Sequence, residues 1–138
     1  MIDLVVAREL REAGLRWRPV SGDAFAIDRP DMQGEFFTVS EMTIEPHEFD
    51  TGTILGFNGT TEWALDSLAL EDALWLPRED QLRELLGASF RSLSRTGDGF
   101  RVEVDDQRAD GGVAAYHDTE AATAYGRALL ARIRDASG

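Results

Sequence analysis

Cysteine and lysine are both absent from this chain of 138 residues. Without cysteine there is no disulfide framework, no thiolate metal site and no cysteine nucleophile. Without lysine there is no phosphate-binding loop of the P-loop type. No apolar run approaches the roughly 20 residues that a membrane-spanning helix needs, and the segment 1–9 carries charges too early for a signal peptide. We therefore expect a cytoplasmic protein.

Acidic residues dominate the charge, since 26 aspartates and glutamates stand against 14 arginines and give a formal net charge of −12. A surface this negative repels phosphate groups, so we expect neither nucleic-acid binding nor attachment to an anionic membrane. The arginines are scattered among the acids, and we expect those on helices, such as Arg83, Arg127 and Arg134, to form surface ion pairs. The length and composition predict a single domain over 1–138.

The first half of the chain predicts one helix followed by strands. Apolar residues recur at helical spacing over 3–13, and a glycine at position 14 can end that helix. Alternating residues over 24–28 predict a strand. Aromatic and β-branched residues over 34–45 predict a longer strand that ends at Pro46, and a turn at 50–52 predicts an antiparallel hairpin with 53–57.

The second half predicts more helix and a second hairpin. A short helical stretch carrying Trp63 and Leu68 is predicted first, and a firmer pattern predicts a helix from Pro77 to Leu86 with its leucines inward. The turn at 96–99 predicts a hairpin, and Asp118 or Thr119 is a candidate cap for the final helix. We predict an α+β fold: an antiparallel sheet of about five or six strands packed against the N- and C-terminal helices, with a central helical segment.

One cluster of residues could hold a metal ion. Glu41, Glu45 and His47 offer carboxylate and imidazole ligands of the kind that bind divalent cations. If the strand continues past Pro46, all three share one face of it. An acidic outer face on an edge strand has the same pattern without binding any metal, so both interpretations stay open.

A second cluster could bind a partner protein. Phe57, Trp63 and Trp75 lie in a stretch that also carries several acids and Arg78, so these four residues could form an apolar groove with a charged rim. Large aromatic residues are more often part of a protein core, which is the alternative interpretation.

Two segments, 56–67 and 73–87, resemble a small family of uncharacterised proteins from high-GC bacteria. A weaker likeness over 35–48 and the last helix extends the resemblance to most of the chain. Members of that family often carry the label of pilus assembly proteins of the septum-site ATPase type. Such ATPases are far longer and need a glycine loop with lysine, which this sequence lacks. The resemblance therefore implies a compact family fold and supplies no catalytic residue.

These patterns favour a non-enzymatic protein-binding or regulatory module that uses the surface around Phe57 to Arg78. The alternative is a small metal-dependent hydrolase that uses Glu41, Glu45 and His47, which would have to converge in a cleft. An acidic mimic of nucleic acid or a toxin-neutralising protein is a third hypothesis. No residue pattern predicts a catalytic nucleophile or a cofactor.

Overall fold

A computed structural model describes residues 1–28, 36–39, 44–49, 52–57, 67–69 and 72–137, with the backbone alone for the three segments between positions 44 and 69. The chain divides into two compact units. The first unit combines Met1–Arg16 with Pro77–Gly138, and the second unit is Trp17–Leu76. The helices are α1 (Leu4–Glu12), α2 (Glu79–Leu86) and α3 (Ala121–Ser137). The strands are β1 (Ala24–Ile27), β2 (Phe36–Thr38), β3 (Ile44–Phe49), β4 (Gly52–Phe57), β5 (Ser67–Ala69), β6 (Ala73–Leu76), β7 (Phe90–Thr96), β8 (Gly99–Asp105) and β9 (Val113–Asp118).

Helix α1 confirms the first predicted helix. The Asp3 carboxylate accepts hydrogen bonds from the backbone nitrogens of Val5 and Val6, at 2.8 and 3.4 Å, and so caps the first turn. Gly14 follows the helix with a φ of 113°, a conformation that a residue with a side chain adopts only at a cost. The buried face of α1 carries Val6, Ala7 and Leu10.

Helix α2 ends at the predicted Leu86 and begins at Glu79, two residues after the predicted start at Pro77. The backbone nitrogen of Arg78 donates to Oε1 of Gln81 at 2.9 Å, and Gly87 ends the helix with a φ of 58°. Leu82 and Leu86 are buried as predicted, whereas Leu85 is 43% exposed, so its predicted inward position is wrong. Residues 82 and 86 are four apart and share a face, and position 85 lies at the margin of that face.

Helix α3 is the centre of the first unit. It contacts β8, β9, α1 and α2, and its contacts with the two strands confirm that the last helix packs on a sheet. The helix is buried almost continuously from Ala121 to Leu130. Gly126 lets α1 approach closely, because a Cβ atom there would lie 2.8 Å from Cδ1 of Ile2 and 3.0 Å from Cγ1 of Val6.

The described strands form three antiparallel sheets of three strands each, in the orders β2-β1-β6, β3-β4-β5 and β7-β8-β9. The α+β class is therefore confirmed, and the predicted single sheet of five or six strands is wrong. The predicted hairpins β3–β4 and β7–β8 are both present. Strands β5, β6 and β9 were not predicted, and Leu68, expected in a short helix, lies in β5.

The long strand predicted over 34–45 is also wrong. Its described parts belong to two different sheets, since β2 pairs with β1 and β3 pairs with β4. Pro46 does not end a strand but lies inside β3, opposite Leu55. A proline is tolerated there because β3 is at the edge of its sheet, where one side of the strand needs no hydrogen-bond donor.

Candidate functional site

The predicted partner-binding residues are divided between the two units, and one of them lies outside the described residues. Phe57 is the last residue of β4, and its backbone is opposite Ile44. Trp63 lies outside the described residues. Trp75 lies in β6 of the second unit, whereas Arg78 precedes α2 in the first unit and pairs with Asp80 at 3.1 Å. A shared surface of these four residues stays a prediction.

Trp75 belongs to a row of aromatic residues across the sheet β2-β1-β6. In the register of that sheet, Phe25 stands opposite both Phe37 and Trp75, so the three residues share one face. The ring of Trp17 lies 5.3 Å from that of Phe25, which is fully buried. Trp75 is half-buried in this cluster, and its buried Nε1 has no hydrogen-bond partner among the described residues. The environment of Trp75 is that of a core residue.

The predicted metal cluster is described only in part. Glu41 lies outside the described residues, while Glu45 and His47 lie in β3, opposite Gly56 and Ile54 of β4. Among the side chains that the structure describes, no group of three histidines, aspartates or glutamates could hold a metal ion. A metal site that uses Glu41, Glu45 and His47 stays a prediction.

The strand β7 has the most exposed apolar position of the sheet β7-β8-β9. It stands at the edge of that sheet, with β8 as its one neighbouring strand among the described residues. Leu93, in the middle of β7, is 38% exposed, and Ser94 and Arg95 are exposed beside it. The described residues therefore leave the side chain of Leu93 partly uncovered.

The backbone of the same residues is available for pairing. Thr96 and Gly99 flank the two-residue turn of the β7–β8 hairpin, the place of a closely hydrogen-bonded pair. Because hydrogen-bonded and non-hydrogen-bonded pairs alternate along an antiparallel ladder, the peptide groups of Leu93 and Arg95 point away from β8. Their side chains and their backbone groups are therefore both accessible along one edge.

Leu93 and Arg95 lie on the side of the sheet that faces α3. Leu93 is opposite the buried Val102, and Arg95 is opposite Phe100. The first residue of β7, Phe90, shares that side, since its ring stacks on Tyr125 of α3 at 5.6 Å. The register of β7 shifts between Phe90 and Ser92, so a bulge places positions 90 and 93 on one side despite their odd spacing.

Two arginines lie over aromatic rings of the sheet that contains Leu93. The guanidinium carbon of Arg83, in α2, lies 4.4 Å from the centre of the Phe90 ring, and that of Arg95 lies 6.0 Å from the centre of the Phe100 ring. Among the described residues neither arginine has a carboxylate within ion-pair distance, so the predicted ion pair of Arg83 is not found there. We call Arg83, Phe90, Leu93 and Arg95 the β7 strip.

Neighbouring arginines are compensated by acids. Arg91 contacts Asp105 at 2.9 Å, and this hydrogen bond raises the pKa of Arg91 above its ordinary value. Arg101 contacts Glu103 at 2.9 Å on the opposite side of the sheet. The predicted ion pairs of Arg127 and Arg134 are also present, with Asp118 at 3.4 Å and with Glu9 at 2.9 Å. By contrast, neither Arg83 nor Arg95 forms an ion pair within the described part of the chain.

The side of the sheet that faces away from α3 is polar. Ser94 and His117 lie opposite Arg101 on its two neighbouring strands, so the arginine stands between the hydroxyl and the imidazole. The outer strands of a three-stranded sheet are about 10 Å apart, since each spacing is about 4.8 Å. The Glu103 carboxylate is already engaged by Arg101 and by the Ser92 hydroxyl, which donates at 3.4 Å. This arrangement does not form a nucleophile and base pair.

A shallow groove lies between the C-terminal ends of α1 and α3. It encloses about 410 Å³ and is lined by Glu9, Glu12, Ala13, Arg134 and Ser137. The Arg134 guanidinium is held by the Glu9 carboxylate, so one of its acids is neutralised within the groove itself. The arginine of this groove is thus already paired with a carboxylate, unlike Arg83 and Arg95 of the β7 strip among the described residues.

Comparisons with known proteins give no family assignment. No model of a protein family matches the chain, and no curated protein or solved structure matches it either. None of the helices in the described ranges is both long and apolar enough to span a bilayer.

Proposed function

We propose that this chain is a non-enzymatic protein-binding module whose partner adds a strand to the edge of the sheet at β7. The observation that supports this proposal is Leu93, which is 38% exposed in the middle of an edge strand whose outward peptide groups can pair with another chain. In this mode of recognition, backbone hydrogen bonds supply affinity and side-chain contacts supply specificity. We propose that the encounter takes place in the cytoplasm, the compartment that the sequence predicts.

The centre of β7 favours binding, although Arg91, Arg95 and a bulge shield other positions of this edge. Proteins that shield an edge strand place charged residues, prolines or bulges along it. The bulge of β7 lies at its first residues, and from Ser92 to Thr96 the register with β8 is regular. An exposed leucine at the centre of that regular segment leaves an apolar contact open to a partner, which a shielded edge avoids.

Replacing Leu93 tests the proposal. The change Leu93→Asp places a charge at the centre of the edge, so partner proteins recovered with the immobilised wild-type chain from an extract of the producing cells should no longer be recovered. Val5→Asp is the matched control, because Val5 is 56% exposed in the same unit and receives the same new charge. Circular dichroism of both variants establishes that they are folded.

The proposal requires that the two folded variants differ. If Leu93→Asp recovers the same partners as the wild-type chain and as Val5→Asp, the edge of β7 is not the binding surface and the proposed function is wrong.

A further inference from the structure

We infer that the segment which pairs with β7 is extended and carries an apolar residue between two acidic residues, each spaced two positions from it. This inference rests on the proposed function and adds the chemistry of the partner. It follows from the order of side chains along the β7 strip, in which an aromatic-bound arginine, an exposed leucine and a second arginine succeed one another.

The spacing of the β7 strip sets the pattern of the partner. Leu93 and Arg95 are two residues apart in one strand, so their side chains are about 7 Å apart on the same side. An incoming antiparallel strand places its own alternate residues directly opposite them. An apolar residue opposite Leu93 and an acidic residue opposite Arg95 would then stand two positions apart. The second acid, two positions from the apolar residue on its other side, stands opposite the bulge at Arg91, next to Phe90, whose ring is covered by Arg83.

The charges of the β7 strip favour carboxylates over ammonium groups. Arg83 and Arg95 lie over aromatic rings and have no carboxylate within ion-pair distance among the described residues. Arginine binds a carboxylate through parallel hydrogen bonds, and each such pair adds to both affinity and register. The net charge of −12 opposes an acidic ligand at long range, so the preference depends on direct contact with these two side chains.

A designed peptide tests this inference directly. The probe is the blocked, fluorescently labelled peptide Thr-Glu-Thr-Val-Thr-Glu-Thr, and its counterpart carries lysine in place of both glutamates. Fluorescence anisotropy with the full chain should show that the acidic probe binds more tightly than the lysine counterpart. Arg95→Glu should weaken binding of the acidic probe by about threefold to tenfold, since it replaces an attraction by a repulsion. The same variant should bind the lysine counterpart more tightly than the wild-type chain does.

A charge-matched variant separates local contact from net charge. Arg132→Glu changes the net charge by the same amount at an exposed position of α3, and we expect it to alter binding by less than about twofold. Methylation of the probe's valine nitrogen should abolish binding, because the residue opposite Leu93 must donate a backbone hydrogen bond to β7. Methylation of a neighbouring threonine nitrogen, which points away from β7, should leave binding unchanged.

Several results would overturn the inference. These are equal or tighter binding of the lysine counterpart by the wild-type chain, equal weakening by Arg95→Glu and Arg132→Glu, loss of binding on either methylation alike, or no binding of any probe. If any of these results is found while recovery of partners still depends on Leu93, the inference about the acidic segment is wrong and the proposed binding function is retained. If recovery is also insensitive to Leu93, both proposals fail.

Discussion

At the scale of single residues, two tryptophans in one cluster differ in the hydrogen bonding of the indole nitrogen. Nε1 of Trp17 donates to Oδ2 of Asp23 at 2.9 Å, and the same oxygen accepts from the backbone nitrogen of Val20 at 3.1 Å. Asp23 is 1% exposed, so its carboxylate depends on such partners. Nε1 of Trp75 is buried without a partner among the described residues. The same atom therefore stabilises the fold at one position and costs free energy at the other.

Replacing each tryptophan by phenylalanine should reveal this difference. Trp17→Phe removes a hydrogen bond from a buried carboxylate, and we expect it to lower the free energy of unfolding by about 1 to 3 kcal/mol beyond the loss of ring area. Trp75→Phe removes the same atoms and relieves an unpaired donor, so its cost should be smaller by more than about 1 kcal/mol. Urea denaturation followed by circular dichroism measures both. Equal costs would contradict the assigned roles of the two nitrogens.

At the scale of elements, the start of β8 lies against the end of β9. A Cβ atom on Gly99 would overlap the backbone carbonyl oxygen of Asp118 and lie 2.9 Å from Cα of Thr119. Both atoms belong to the backbone between β9 and α3, which cannot move aside as a flexible side chain can. Gly97, in the same hairpin turn, has open space where its Cβ atom would lie.

The two glycines of this turn provide a matched pair of substitutions. Gly99→Ala should lower the free energy of unfolding by about 1 to 3 kcal/mol, because the added methyl group forces β9 and α3 apart. Gly97→Ala should change it by less than about 0.5 kcal/mol. Thermal denaturation of the two variants checks this expectation. Two variants of equal stability would show that the backbone between β9 and α3 can shift to accept the methyl group without lowering the free energy of unfolding.

The sequence predicts elements well where the signal is local. Helix α1, helix α2 and the β7–β8 hairpin carry caps, helical periodicity or a glycine turn within a few residues. Strand β6 was missed because Ala73, Leu74 and Leu76 are buried on both sides of a four-residue strand, so no alternation marks it. Strand β9 was missed because its alanines carry little strand propensity.

The candidate site depends on pairings that no local pattern contains. The sequence predicts a strand over 90–95 but does not tell which strand stands at the edge of the sheet. Leu93 becomes an edge position only because β8 is the one strand that pairs with β7 among the described residues. The bulge at Arg91 also decides which residues of β7 share one side of the sheet, because it shifts the register after Phe90. Trp75 illustrates the reverse case, since a predicted surface anchor lies half-buried among aromatic rings.

At the scale of the whole molecule, burial and negative charge act together on the tyrosines. The sequence contains two tyrosines, Tyr116 and Tyr125. Burial raises the pKa of Tyr116 above its ordinary value of 10.0, and the carboxylates of Asp106 and Asp135 raise it further. Burial also raises the pKa of Tyr125, an effect that Arg83 partly opposes. In each case the folded protein favours the neutral phenol.

Alkaline titration should therefore separate the folded and unfolded chains. The folded state holds both phenolic protons more tightly, so their contribution to stability is complete below pH 10 and is lost as the pH rises through the folded-state pKa values. Tyrosinate absorbance of the native protein should rise at higher pH than that of the denatured chain. Tyr116→Phe identifies which half of the signal belongs to each residue. Coincident native and denatured titration curves would contradict this expectation.

The discontinuity of the first unit has a consequence for how the protein is made. Asp3, just before α1, donates through its backbone nitrogen to Oγ1 of Thr123 in α3 at 2.9 Å, across 120 positions of sequence. At about 5 to 20 residues per second, a ribosome needs roughly 6 to 24 s to synthesise the intervening chain. Through that interval α3, which α1 contacts in the folded protein, has not yet been synthesised. A chaperone that binds nascent chains would have this time in which to cover the apolar face of α1 before the final helix emerges.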